Sequence, residues 1–411
     1  MINISKDLKF KLINLSLILM FALPLFPTNV KPYTIFFLGI SVLIGNYGAP
    51  FSFDLKKFII NSSIYLLMVF SLVYSQNIEY GLNKLETMAS LIIFPFIFSC
   101  FPKHYLEKVF KNTHKYIAVY FIAVLSFNLI SFFYHSLHYG KTIFIHYPTV
   151  NKIGQGPYNI HPIYLSIHIC VAILFSFFLL KKLKSNYKKT VIIVFDFILL
   201  IFLFILLKKG PIIVLAFVSL IFVLFQSNKR LLYIALTVII LNIIAIMSIS
   251  EYRIKFAELT KIENVEKGGI TSTNIRYSIY SAAIPKMIES PLIGYGIGDN
   301  KDMLLEGLKE ESPILYESRY NSHNQFISFT LAMGIIGFLS FLFFMSYNLV
   351  YAIRYNNQIL ILILILYTLM MSFENILERE DGVIYFSFFV SFFALKSYNE
   401  ELNKVLPKIK F

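Results

Sequence analysis

Residues 190–226 read TVIIVFDFILLIFLFILLKKGPIIVLAFVSLIFVLFQ. Two apolar runs, 190–207 and 211–226, flank Lys208-Lys209-Gly210, and Pro211 sits where the second run opens. A membrane-spanning helix needs about 20 mostly apolar residues. Proline is tolerated at a helix start, where its missing N–H is not needed. The stretch therefore reads as two spanning helices joined by a tight hairpin.

Working outward, the same pattern covers the chain. Of its 411 residues, 57% are hydrophobic and 15% charged, against about 25% charged in soluble domains. Mean hydropathy is +0.69, and phenylalanine alone numbers 43. A soluble domain cannot hide that much apolar surface. Soluble Rossmann, TIM-barrel and zinc-finger classes are excluded. Further apolar runs lie at 10–26, 33–49, 58–75, 85–101, 116–134, 161–180, 231–249, 323–350, 358–373 and 383–398. The fold class is all-α: a polytopic transmembrane helix bundle of about twelve spans.

The formal charge of +14 belongs to short basic clusters between apolar runs, a pattern that sets membrane orientation rather than nucleic-acid binding. With a cytoplasmic N-terminus, inner segments hold 21 of the 37 Lys and Arg residues. Outer ones hold 16, nine of them in the loop 250–322. Long loops escape the rule, so both termini are expected in the cytoplasm. The first apolar segment starts basic (Lys6, Lys9, Lys11) without a small-residue cleavage site, and reads as a retained helix. Cys100 and Cys170 lie in apolar runs and read as inert packing residues.

Two outer connections are long. Segment 135–160 is rich in Tyr, His and Gly, and segment 250–322 shows helical spacing of Ile275, Ile279 and Ala282. The chain thus divides into helices 1–9 (1–249), a partly helical cap loop between spans 9 and 10 (250–322), helices 10–12 (323–398) and a cytoplasmic tail (399–411).

Five elements could carry chemistry. Ser322-His323-Asn324-Gln325 has capping-box spacing, which makes His323 the first helical residue. On that helix His323, Phe326, Thr330, Gly334 and Gly337 share a face. The positive end of the helix dipole favours neutral imidazole, the form a general base needs. Arg276 leads through Lys286 to Pro291-Leu292-Ile293-Gly294-Tyr295-Gly296-Ile297-Gly298-Asp299, whose glycines allow close approach of a ligand. That run lacks the dinucleotide fingerprint. Arg319 precedes His323 by four residues, and guanidinium forks match phosphate oxygens. Lys208 and Lys209 close the hairpin. Glu374 with Glu378-Arg379-Glu380-Asp381 suggests an ion-pair cluster, and His161-Pro162-Ile163-Tyr164 opens the sixth span. Each also has a plain structural reading: an interfacial histidine, a helix-ending loop, a solvated arginine, snorkelling lysines, a polar turn. All lie on the outer side under one topology, which points to an anionic-ligand site there. No metal-ligand spacing such as His-Glu-x-x-His occurs, so the site is expected to be metal-independent and without a cofactor.

At these residues the chain resembles the O-antigen ligase and O-antigen polymerase superfamily. The matching pieces are Arg276, Pro291 to Gly296, His323-Asn324-Gln325 with Gly334 and Gly337, Leu377-Glu378-Arg379 with Gly382, and His161-Pro162-x-Tyr164. Many members carry Ser-Arg where this chain has Lys208-Lys209. The resemblance implies inverting, metal-independent glycosyl transfer at the periplasmic face of the bacterial inner membrane. The donor would be a glycan on undecaprenyl diphosphate, and the acceptor a lipid A–core sugar (ligase) or another lipid-linked repeat (polymerase). Membrane lipids are partners and nucleic acid is not. Arg276, Arg319 and a lysine of the 208–209 pair would grip the diphosphate. His323 and Arg276 would be catalytic, supported by His161, Tyr164, Asn324, Glu378 and Arg379. Ligase-type transfer is the reading preferred here, with polymerase as its neighbour. A non-enzymatic transporter is the competing class, for which Asp196 in the seventh span is the one conspicuous acid.

Overall fold

The computed structural model describes residues 5–144, 147, 160–225, 229–248 and 250–405. Most of segment 135–160 beyond residue 144 therefore lies outside the described residues. Among those described, the regular structure is helical, with no strand. In chain order the helices are α1 (Lys6–Phe21), α2 (Lys31–Asn46), α3 (Leu55–Ser71), α4 (Ile78–Met88), α5 (Ser90–Ser99), α6 (Leu106–Lys111) and α7 (Thr113–Tyr139). Then come α8 (Pro162–Lys182), α9 (Asn186–Ile205), α10 (Lys209–Leu224), α11 (Lys229–Ser248), α12 (Ser250–Ala257), α13 (Val265–Gly268) and α14 (Ser272–Glu289). The last are α15 (Asn300–Glu311), α16 (Pro313–Glu317), α17 (Gln325–Arg354), α18 (Gln358–Met371) and α19 (Glu380–Val405).

Among the described residues, five helical stretches are long and apolar enough to cross a membrane: Thr28–Asn46, Leu55–Tyr74, Thr113–Leu137, Pro162–Lys182 and Gln325–Arg354. A sixth is reached if α4 and α5, bent by 42° at their junction, make one broken span. Helices α10 and α18 are apolar but shorter. Several apolar helices of this length identify a multi-pass membrane protein.

The chain forms two compact units. The first comprises residues 1–54, 97–215 and 395–411. Its α8 is mostly apolar and buried on nearly every side, as a central helix must be. Phe21 of α1 stacks on Tyr116 of α7, with centroids 5.6 Å apart. A Cβ on Gly45 of α2 would lie 2.7 Å from Ile13 Cδ1 of α1, so the missing side chain sets how closely these helices pack. Cys100 and Cys170 are buried free thiols. Asp196 on α9 accepts a hydrogen bond from Ser176 Oγ on α8 at 2.7 Å. Its carboxylate thus ties two neighbouring helices together.

The second unit comprises residues 55–96 and 216–394. Here the helical spacing at 275–282 is realised on α14. Ile279, Ala282 and Ala283 pack with Val265, Leu304, Leu305, Leu308, Leu315 and Leu331 in one buried cluster, against which Ile275 also rests. Close packing of α14 on α15 needs Gly307, whose Cβ would meet Ala282 O at 2.5 Å. Local caps define the helix starts. Thr271 Oγ1 accepts the Asn274 N–H, and Asn264 Oδ1 accepts that of Glu266.

The glycine-rich run 291–298 is packed against backbone on both sides. Helix α17 breaks at Gly334 (φ 59°, ψ −156°), freeing carbonyls and N–H groups that a continuous helix would pair. The run supplies their partners. Tyr295 N–H donates to Leu331 O and Gly296 N–H to Ala332 O, both at 2.8 Å, while Ile335 N–H donates to Pro291 O at 2.8 Å. Its other side is held by the end of α3. Ile297 N–H donates to Ser71 Oγ and Gly298 N–H to Ser75 Oγ. Asp299 accepts the N–H groups of Gln76 and Asn77 at 2.6 and 2.9 Å. Gly294 and Gly296 both take positive φ, where side chains are strained. The face predicted to run unbroken from His323 to Gly337 is therefore interrupted, because the backbone turns at Gly334.

Candidate functional site

The second unit brings two sequence segments together, 320–328 and 372–378. The helix expected to begin at His323 begins two residues later. Asn324, not Ser322, is its cap: Asn324 Oδ1 accepts the N–H groups of Phe326 at 2.9 Å and Ile327 at 3.3 Å. Gln325 does not return to Ser322 as a capping box requires. Its Oε1 accepts the Leu377 N–H at 2.8 Å. His323 has φ 44°, a left-handed conformation uncommon for a side-chain-bearing residue. Its N–H is held by Asn321 Oδ1.

That turn places the imidazole beside a carboxylate. His323 Nδ1 lies 3.2 Å from both Glu374 Oε1 and Oε2. The His323 side chain is 25% exposed and that of Glu374 only 9%, so the ring reaches solvent while its partner is enclosed. Tyr320 packs against the ring at 5.8 Å. The electrostatic partner of His323 is thus Glu374, in place of the helix N-terminus.

Asn375 locks the two segments in register. Its Oδ1 accepts the Asn324 N–H at 2.7 Å and lies 2.9 Å from Ser322 Oγ. Its Nδ2 donates to Glu378 Oε1 at 2.8 Å, and its N–H to Glu374 Oε1 at 3.2 Å. Arg276 approaches from α14. Its Nη2 and Nε donate to Phe373 O at 3.0 and 3.4 Å, and its Nη1 donates to Ser272 O at 2.9 Å. Guanidinium has five N–H groups, so two remain for another acceptor. Tyr280, also on α14, donates to Ser372 O at 3.3 Å and accepts from Asn324 Nδ2 at 3.3 Å. Burial raises its phenol above the ordinary range.

Glu378 does not join an ion-pair cluster around Arg379. Its Oε2 takes Lys84 Nζ of α4 at 2.8 Å, and its Oε1 accepts from Ser328 Oγ. With Glu374 turned to His323, the two acids have partners remote in sequence. Arg379 is exposed where the chain enters α19. Arg319 is exposed and left-handed, at φ 51°.

The remaining predicted residues lie in the first unit. His161 caps α8, its Nδ1 accepting the Ile163 N–H at 3.4 Å, with its ring edge-on to buried Tyr164 at 6.1 Å. Lys208 and Lys209 follow Leu207, whose φ of 53° makes the hairpin turn. In the sequence Glu374 is one acid among several. Tyr280, Asn375, Ser328 and Lys84 carried no motif at all. Pairs separated by 51 residues, as His323 and Glu374 are, have no local spacing to reveal them.

A family model described as O-antigen ligase matches residues 194–342. No curated protein matches the chain. The matched stretch contains Lys208, Lys209, Arg276, the run 291–298, Arg319 and His323, so the resemblance to the O-antigen ligase and polymerase superfamily holds where these residues stand.

Proposed function

We propose that the protein transfers a glycan from undecaprenyl diphosphate to a sugar hydroxyl, in the manner of an O-antigen ligase acting on lipid A–core. The observation that carries this reading is His323 held by Glu374 at a solvent-reaching turn, with Arg276 anchored to the carbonyl of Phe373, next to Glu374. With Nδ1–H donated to Glu374, Nε2 carries the lone pair. It takes the proton of the acceptor hydroxyl as that oxygen bonds to the anomeric carbon. The bond from the anomeric carbon to the diphosphate oxygen breaks, and undecaprenyl diphosphate departs with the electron pair. One displacement inverts the anomeric centre. Diphosphate is a good leaving group, so this chemistry requires no metal, only cations to hold the departing charge. Arg319 and the two spare N–H groups of Arg276 suit that task.

This reading puts the site at the periplasmic face of a twelve-span inner-membrane protein with both termini cytoplasmic. In this reading Asn324, Glu378 and Arg379 take supporting roles around His323. The test is glycan display in cells carrying His323→Ala or Arg276→Ala at normal protein levels. Full-length polysaccharide in both would remove the assignment. Deletion of the protein separates the two transfer types. A ligase leaves bare lipid A–core beside accumulated lipid-linked chains, whereas a polymerase leaves core bearing a single repeat.

A further inference from the structure

The left-handed conformation of His323, φ 44°, is one that a residue with a side chain keeps only where its surroundings over-determine it. One side-chain atom faces both residues that flank it. Asn375 Oδ1 accepts the Asn324 N–H at 2.7 Å and lies 2.9 Å from the Ser322 hydroxyl. Asn375 is buried, so a hydrogen bond lost there leaves a polar group unsatisfied instead of passing it to bulk water. The backbone of the same residue donates to Glu374 Oε1 at 3.2 Å. Asn375 therefore ties the 322–324 turn to the segment that carries the carboxylate partner of His323.

An asparagine amide has two faces, and only one of them fits. With the amide turned over, Nδ2 would meet the Asn324 N–H, donor against donor. Glu378 decides the orientation, because its Oε1 accepts from Asn375 Nδ2 at 2.8 Å. Glu378 is itself fixed on both oxygens. Lys84 Nζ of α4, 294 residues away in sequence, lies 2.8 Å from Oε2, and Ser328 Oγ donates to Oε1. A carboxylate accepts on both oxygens, whereas an amide of the same shape has one oxygen and two N–H groups. A glutamine at 378 could not serve Lys84 and Asn375 together. Its oxygen would go to the ammonium, and its NH2 would face Nδ2 and drive the Asn375 amide over.

We infer that Asn375 is a positioning residue for His323, and that Glu378, fixed by Lys84, selects the face its amide presents to the turn. The side chain of Asn375 acts on the backbone either side of the ring. That backbone sets the ring against Glu374, and Glu374 sets which ring nitrogen keeps the proton. A contact made by α4 thereby reaches the base. The assignment rests on the glycan-transfer reading, because that reading gives His323 a proton to take.

The test exchanges donor and acceptor across the Asn375–Glu378 hydrogen bond. Full-length protein with isotope-labelled histidine nitrogens is studied by NMR in detergent at neutral pH, the His323 signals being identified by their loss in His323→Gln. Wild type is expected to hold its proton on Nδ1. Asn375→Asp sets a second carboxylate against Glu378, and Glu378→Gln takes away an acceptor. Each is expected to give mixed His323 tautomers. Each is also expected to slow glycan transfer to lipid A–core in membrane preparations about 100-fold, the cost of a small misplacement of a reacting group. In Asn375→Asp/Glu378→Gln the introduced amide donates to the introduced carboxylate and keeps its oxygen for Lys84. That variant is expected to regain the single tautomer, and transfer within about tenfold of wild type, as coupled neighbours do. Single variants that keep the wild-type tautomer overturn the assignment. So does a double variant that is monodisperse and melts like wild type yet stays as mixed as the singles. Where Asn375→Asp is not recovered folded, Glu378→Gln decides alone by the same signal. Mixed singles and a restored double, in a protein whose wild type transfers no glycan, support the positioning assignment and overturn the transfer reading instead.

Discussion

His323 Nδ1 sits 3.2 Å from both carboxylate oxygens of Glu374, although 51 residues separate them. The carboxylate is enclosed and the ring is not. A buried acid that accepts from one ring nitrogen fixes the tautomer and aims the other nitrogen outward. Glu374→Gln keeps the shape but offers one oxygen and an N–H in place of two oxygens. Transfer is expected to fall about 100-fold in membrane preparations. His323→Ala falls comparably, and the double variant falls little further, since residues that act as a unit are non-additive. Near-normal transfer by Glu374→Gln at normal protein level would assign the pair to structure alone.

Gly294 and Gly334 meet where the glycine-rich run enters the break in α17. A Cβ on Gly334 would lie 2.3 Å from the Leu292 carbonyl, and one on Gly294 would lie 2.5 Å from Leu331 O. Both obstacles are backbone, and both residues have positive φ. Alanine at either position is expected to cost about 3 kcal/mol or more, combining overpacking with backbone strain. The measurement is the yield of monodisperse protein after detergent extraction and its melting temperature. Wild-type values would show that the run can move aside.

Asp299 is the hinge of the same clasp, accepting the N–H groups of Gln76 and Asn77 ahead of α4. Asp299→Ala leaves those donors to water and is expected to cost about 1–2 kcal/mol. Asp299→Asn, which keeps an acceptor oxygen, should recover part of the loss. Thermal unfolding of both variants in one detergent decides the matter.

Lys301 gives a pH signature. Burial and the neighbouring Arg319 and Lys84 hold its ammonium below the ordinary lysine value of 10.5. At alkaline pH the unfolded chain therefore keeps a proton that the folded chain has released. By linkage, stability rises with pH from the folded value of Lys301 up to about 10.5. Lys301→Met should melt higher than wild type at neutral pH, and the two should converge as pH approaches 10. A variant that melts lower than wild type at neutral pH would contradict the cost of keeping Lys301 charged in the fold.

The sequence by itself determined the solvent this protein folds in and the kind of element it builds. Apolar runs of spanning length leave helices as the form that pairs every backbone group within its own segment, the form α7 and α8 take. Local spacing also predicted the buried face of α14, because Ile275, Ile279 and Ala282 recur with the helical period. Chemistry carried by single residues was legible as far as residue type: a histidine and arginines near the 322–325 turn. Their partners were decided only by tertiary structure. Ser322 and Gln325 have capping-box spacing, yet Asn375 and Leu377, about fifty positions onward, compete for their polar groups and prevail. Glu374 and Glu378 look like one acidic patch in sequence, but opposite sides of the turn send one to His323 and the other to Lys84. Helical periodicity reports which residues share a face of one element. Which faces meet depends on how distant segments satisfy each other's buried hydrogen bonds and charges, and no short-range pattern encodes that.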